Sequence, residues 1–165
     1  TRKKRKGEIE GKDYFFKTNE QFIPMMSNNE FIESAKVFGN FYGTLKVEVL
    51  QKIEDGIDVL VDIDWQGTRQ IEKHMPEDIV KIFILPPSIK ELEYRLGNRA
   101  SENKEDFNKR MSEARKEISH YNEYDFVIIN EEIDIAVNLV KSILYSERLR
   151  KHRQTSLQNV VNNLL

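Results

Sequence analysis

The chain has 165 residues, 26 basic against 28 acidic, a formal net charge of −2 and no cysteine. One domain is expected at this length, and the charge balance excludes a globally basic protein, so any anion site must be local. The missing cysteine excludes disulfides and thiolate metal sites and fits a reducing cytosol, while apolar runs such as IFILPP fall far short of the about 20 residues of a membrane span and no apolar stretch of signal-peptide type follows the charged start.

The opening TRKKRKGEIEGKDYFF sets five cations in a row, Arg2 to Lys6, ahead of Glu8, Glu10, Asp13, Tyr14, Phe15 and Phe16. Basic residues followed by stacking aromatics suit either a nucleic-acid tail or a grip for something smaller. EGKDYFF and EFIESAKVFGNFYGT are aromatic, alternating and punctuated by glycine. They predict a small antiparallel patch, with one helix over about 18–28 between its parts. TLKVEVLQKIEDG predicts a helix with Thr44 as N-cap and Gly56 as its stop.

DVLVDID (58–64), IVKIFIL (79–85) and FVIIN (126–130) read as short strands, apolar on both alternations, as a parallel sheet covered on both faces requires. Helices separate them. WQGTRQIEKHM lies between the first two. SIKELEYRL opens on Ser88 with Glu91 three residues on, a capping box. KEDFNKRMSEARKEISHY sets Phe107, Met111, Ala114, Ile118 and Tyr121 on one stripe. A last helix, about 133–150, carries Ala136, Leu139, Val140, Ile143 and Leu144 on one face, and the tail after about His152 is expected to fray. Strand and helix in alternation give an α/β fold.

Ligands of open α/β sheets bind beyond the carboxyl ends of strands. VLVDIDWQG ends a predicted strand in Asp62 and Asp64, which either face a metal-bound phosphate or cap the next helix. Arg95 and Arg99, four apart, share a helical face, and Arg110 follows a polar loop. The three guanidiniums either converge on a ligand or form a solvated face laced with Glu. Glu33, Tyr42 and Thr44 flank the glycine-rich turn FGNFYGT. A carboxylate reads guanine well, because N1–H and the 2-amino group are adjacent donors, and a hydroxyl such as Thr44 can donate to the 6-oxo group. Tyr42 and Thr44 alternatively serve as a strand end and a helix cap.

TR-x-x-R-x-GE-x-x-G-x-DY-x-F, then NNEFIE, GNFYGT, DIDWQG, ILPPS and RL-x-x-R, in this order from Thr1 to about Arg150, closely resemble the guanylate kinases. The resemblance implies a parallel sheet of the phosphate-loop-kinase type with helices on both faces, a small antiparallel GMP-binding patch and a helical lid. It implies one domain, with a GMP part of about 1–45, a core of about 46–94 and 115–150 and a lid of about 95–114. The implied activity is transfer of the γ-phosphoryl group of ATP, with Mg²⁺, to GMP, in the cytoplasm, with neither nucleic acid nor membrane as partner.

The resemblance implies that Arg2, Arg5, Tyr14 and Tyr42 hold the GMP phosphate and that Glu33 and Thr44 read guanine. Glu8 and Asp62 line the centre near GMP and the metal, Asp62 through water and no residue directly. Arg95, Arg99 and Arg110 meet the ATP phosphates and the transferring group, and Asn130 lies near the ATP base. The cation run is then a phosphate grip for one nucleotide, with only Arg2 and Arg5 facing it. The alternative is a non-catalytic guanylate-kinase-like module binding GMP or phosphopeptides. The three lid arginines weigh against it.

The sequence departs from the family in places. No G-x-x-x-x-G-K-[ST] stretch occurs in it, so the phosphate-loop strand is expected ahead of residue 1 and the chain to be the back four-fifths of the fold, inactive if it stands alone. Lys4 replaces a usual proline, and Ala100 and Ser101 replace a usual Gly and Thr after the second lid arginine.

Overall fold

The computed structural model describes residues 1–37, 39–98 and 104–165, without the side chains of 98 and 104–106. The chain divides into two compact units, Thr1–Ile79 and Val80–Leu165.

In the first unit Thr18 starts the first helix, α1 (Asn19–Ser27). Its hydroxyl accepts from the Gln21 N–H at 3.3 Å, and the Gln21 side chain accepts from the Thr18 N–H at 3.0 Å. This reciprocal capping box satisfies two otherwise orphaned donors. Strands β1 (Phe31–Val37) and β2 (Asn40–Leu45) pair antiparallel, with Glu33 opposite Thr44 and Ala35 opposite Tyr42. The predicted patch and its helix are therefore present. EGKDYFF, however, does not join as a strand. It makes one bridge, Glu10 to Tyr14, around a turn in which Gly11 takes φ 74°. A turn that tight leaves no residues to extend a ladder.

Phe22 stacks on Phe31 at 4.5 Å and on Phe41 at 5.6 Å. The stack leaves no room beneath it. A Cβ at Gly43 would come within 2.8 Å of the Phe31 ring and 3.0 Å of the Phe22 ring. Gly43→Ala is expected to destabilise the protein by about 1–3 kcal/mol, the usual cost of overpacking, seen as a lower Tm in thermal melts.

Helix α2 (Lys46–Glu54) starts from Leu45 without a side-chain cap. Thr44 stays in β2, so its predicted capping role is corrected. The predicted stop at Gly56 is present: with φ 74° it lets Ile57 N–H reach Lys52 O at 2.8 Å and Gly56 N–H reach Ile53 O at 2.9 Å, the paired bonds of a Schellman end.

Segment 58–64 belongs to neither assigned sheet. It keeps the two-residue period of a strand, with Val59, Val61 and Ile63 packed on the core of Ile32, Val49 and Ile71. Leu60 on the other alternation is 88% exposed. The apolar pattern thus specifies packing on one face here, and a ladder needs a partner strand that this unit does not assign to it. Helix α3 (Trp65–His74) follows, capped by Asp64, whose Oδ1 accepts from Gly67 N–H at 2.9 Å.

In the second unit β3 (Ile82–Leu85) and β4 (Phe126–Ile129) pair in parallel, Ile82 opposite Phe126 through Leu85 opposite Ile129. Asp125 holds the start of the ladder by accepting from Lys81 N–H at 2.8 Å. Both strands are shorter than predicted. Phe83 and Ile128 are buried, whereas Ile84, Val127 and Ile129 are substantially exposed; because Phe83 pairs with Val127 and Ile84 with Ile128, each face of the pair buries one side chain and leaves its neighbour open. Helix α4 (Ile89–Asn98) opens on Ser88, whose Oγ accepts from Glu91 N–H at 3.1 Å. Only half of the capping box forms, because the Glu91 carboxylate turns to Arg95.

Helix α5 (Lys104–Ser119) buries Met111 as its stripe predicts. It stops before Tyr121, which lies in a following 3₁₀ turn and is half exposed. Helix α6 (Ile133–Arg148) packs on β4 and buries Ala136. The tail is not wholly frayed: Leu157–Asn162 forms a short exposed helix, α7.

Candidate functional site

Four elements of the first unit bring the predicted acceptor residues together. Thr1 fixes the start of the basic run beside β2 by accepting from Phe41 N–H at 2.9 Å. The next residue, Arg2, thereby lies near Tyr42. Its guanidinium makes a two-pronged pair with Glu8, one prong at 2.8 Å to Oε2 and the other to Oε1. It also lies 4.9 Å from the Tyr14 ring centre and 5.6 Å from that of Phe16. Tyr14 meets Tyr42 edge-on at 6.3 Å. A planar cation beside two phenols offers donors of the kind that suit a tetrahedral oxyanion.

Glu8 organises this receptor. Besides Arg2 it accepts from the Arg5 backbone N–H at 2.7 Å. The Arg2 hydrogen bonds, and then the Arg5 N–H, hold its carboxyl down at about 2. Arg2 is correspondingly held more firmly protonated. The contribution of a depressed carboxylate is complete above its ordinary value of 4.5 and is lost as pH falls through about 2. The pair should therefore persist unchanged from pH 8 to 5, with the Glu8 carboxyl carbon titrating only near 2 in an NMR series; titration near 4.5 would mean that the fork is open. Arg5, Lys3, Lys4 and Lys6 are exposed, and Arg5 meets Glu8 through its backbone N–H while its charge also favours the ionised carboxylate.

The loop carrying Tyr14 was not read from sequence. Asp13 accepts from Ile9 N–H at 2.6 Å and Glu10 from Phe16 N–H at 3.0 Å. Acids spaced to bond backbone amides within a short Gly-containing loop are the signal.

Glu33 is 4% exposed. Its Oε1 accepts from the Thr44 hydroxyl at 2.6 Å. Its Oε2 lies against Gly67, where a Cβ would approach to 2.8 Å. Burial, opposed by the Thr44 hydrogen bond and reinforced by the charge of Asp64, pushes the Glu33 carboxyl up from its ordinary value. A buried carboxylate whose raised value reflects burial more than hydrogen bonding has acceptor capacity for further N–H donors, and two adjacent ones on a ligand suit it.

Asp62 is exposed on the outer alternation of 58–64. Asp64 is the acid whose charge reaches Glu33, and it also caps α3. Of the two acids of the DID pair, Asp64 takes the capping role.

In the second unit Arg95 pairs with Glu91 at 2.7 Å and donates to the Asn130 carbonyl at 3.0 Å. Arg95 and Asn130 line one pocket of about 200 Å³ with Leu85, Pro86 and Leu92. Arg110 is half-buried on α5. Arg99, Ala100 and Ser101 lie outside the described residues.

A family model described as guanylate kinase matches residues 1–147. The chain belongs to the guanylate kinase family. It is similar to the guanylate kinase of Cereibacter sphaeroides, 47% identical over 99% of this chain and 78% of that protein. It is 50% identical to the guanylate kinase of Shewanella violacea over 96% of this chain and 76% of that protein. Its fold matches the crystal structure of guanylate kinase from Anaplasma phagocytophilum with a TM-score of 0.85 at 40% identity, covering 99% of this chain and 80% of that one. The guanylate kinase motifs NNEFIE, GNFYGT and DIDWQG are the stretches that supply Glu33, Thr44 and the α3 cap. Among the described residues no helix is long and apolar enough to cross a membrane.

Proposed function

We propose that the protein transfers the γ-phosphoryl group of ATP to GMP, giving ADP and GDP. The observation that carries this reading is the buried Glu33–Thr44 pair at 2.6 Å, formed by guanylate kinase motifs. Arg2, Tyr14 and Tyr42, with Arg5 beside them, hold the acceptor phosphate. Glu33 accepts from N1–H and the 2-amino group, and Thr44 releases Glu33 to donate to the 6-oxo group. Arg95, Arg99 and Arg110 stabilise charge on the transferring group, and Asn130 lies at the ATP base. The GMP part, core and lid of about 1–45, 46–94 with 115–150, and 95–114 divide the labour accordingly, in the cytoplasm.

Mg²⁺ fits this donor set as an ion arriving on ATP. Among the described residues no three acidic or histidine groups cluster, and Mg²⁺ commonly keeps waters and substrate phosphates as ligands. Asp62, an exposed carboxylate, would hold it through water. When bound it neutralises charge on the donor phosphates.

A coupled ADP-release assay on the intact protein, with MgATP and either GMP or AMP, tests the reading. Turnover confined to GMP supports it, and equal rates or a preference for AMP overturn it. Arg110→Ala is expected to lower turnover by about a hundredfold, as loss of one transition-state donor does, with GMP affinity by calorimetry within about twofold of the parent. A parallel loss in affinity would remove Arg110 from the transferring group.

A further inference from the structure

Helix α3 presents Gly67, Gln70, Ile71 and His74 at the spacing of one face. Gly67 and Ile71 are buried, His74 is exposed, and Gln70, between the two buried positions in height, is a half-buried polar residue. Its amide is spent on one residue of β1, 36 positions away in sequence. Ser34 N–H donates to Gln70 Oε1 at 3.0 Å, and Gln70 Nε2 donates to Ser34 O at 2.9 Å. The side chain thus mimics a neighbouring strand, satisfying both backbone groups of Ser34 as a ladder would. Gln66 O takes a further bond from Gln70 Nε2 at 3.2 Å and steadies the amide on its own helix.

Ser34 follows Glu33 directly. On the other side of Glu33 the β1–β2 register shifts, between Phe31 and Glu33. Regular pairing resumes at Glu33, opposite Thr44, and fixes that residue from the β2 side; the Gln70 clamp fixes the other edge of β1 at the next residue. The same helix places Gly67 against Glu33 Oε2. The clamp and the contact are one turn apart, so whatever sets the distance from α3 to Ser34 also sets the seat of the carboxylate.

We propose that Gln70 is a positioning residue for base selectivity, holding β1 against α3 so that the Glu33 carboxylate stays seated between the Thr44 hydroxyl and Gly67. This rests on the reading of Glu33 as the guanine acceptor. Gln70 itself touches no substrate. Gln70→Met keeps the length and removes both bonds to Ser34.

Two measurements test the proposal. In ligand-free protein the Glu33 carboxyl carbon is titrated by NMR. In Gln70→Met its midpoint should move down toward the ordinary carboxylate range, because a loosened seat admits water. An unchanged midpoint overturns the proposal whatever the protein binds. In the second, affinities for GMP and for IMP, which lacks the 2-amino group, are measured by calorimetry. The GMP-over-IMP ratio should fall about tenfold in Gln70→Met, the scale on which small misplacements act, and should fall no further when the change is added to Glu33→Gln. A ratio equal to that of the parent overturns the proposal. If the parent shows no preference for GMP, the guanine reading fails, and the titration still decides whether Gln70 seats Glu33. Gln70→Asn, one methylene short, takes the place of the Met variant if that does not fold, with the same directions expected and the same results overturning it.

Discussion

Glu33→Gln is expected to abolish the preference for GMP over AMP, a change of up to about 10⁴-fold in the ratio of kcat/KM values. The side chain keeps its size, and its oxygen can keep the Thr44 hydroxyl bond. What changes is the edge presented to the base. The carboxylate offers acceptors to two adjacent donors of guanine. The amide offers one acceptor and one N–H₂ group, and the latter faces a donor. Adenine has an acceptor at N1 and no 2-amino group, so the amide suits it better than the carboxylate does. Steady-state rates with GMP and AMP measure the ratio; an unchanged ratio would place guanine recognition elsewhere.

The same substitution should raise the Tm of the ligand-free protein at pH 7 to 8. Burial raises the Glu33 carboxyl, so the folded state binds that proton more tightly than the unfolded state does. Stability then decreases as pH rises from the ordinary carboxylate value toward the raised one, and above it the full penalty remains. Glutamine carries no such penalty. The difference in Tm between variant and parent should therefore be largest at neutral pH and should shrink as pH falls to 4.5 and below. A residue kept at a cost to the empty protein, and repaired by two ligand donors, is better explained by recognition than by packing.

The sequence was most informative where one residue decides a local structure. Gly56 and Ser88 mark helix ends through backbone bonds that only a few residue types can make, and the structure has both. The motifs around Glu33, Tyr42 and Thr44 come together on paired strands because β1 and β2 are adjacent in the chain. Segment 58–64 was less legible: Val59, Val61 and Ile63 predict an inward face equally well with or without a ladder. Which of Asp62 and Asp64 caps α3 turned on where the alternating segment gives way to the helix, a boundary that spacing alone leaves open by a residue or two. Gln70 was hidden because a polar residue on a helix is ordinarily solvated. Only its clamp on Ser34, far away in sequence, gives it a role.

Arg2→Met should weaken GMP binding by about 10³-fold, within the range for removing one partner of a desolvated charge pair. Two effects act in the same direction. The guanidinium that would face the phosphate is gone, and Glu8 is left beside the Arg5 N–H with its charge no longer matched by Arg2. An arriving phosphate then meets a like charge. Arg2→Lys keeps the cation but not the planar fork, so it should lose less, about tenfold, the value of one poorly aligned charged hydrogen bond. Adding Glu8→Gln to Arg2→Met should recover part of the loss by removing the repulsion. Guanosine supplies the control. It carries the base without the phosphate, so its affinity should be the same for the parent and for all three variants. If guanosine loses affinity in step with GMP, Arg2 acts through the fold of the loop beside Tyr14 and Phe16, and the phosphate must be held by other residues. If only GMP is affected, Arg2 among the five cations that open the chain meets the nucleotide, while the charge of Lys3, Lys4 and Lys6 serves attraction at longer range.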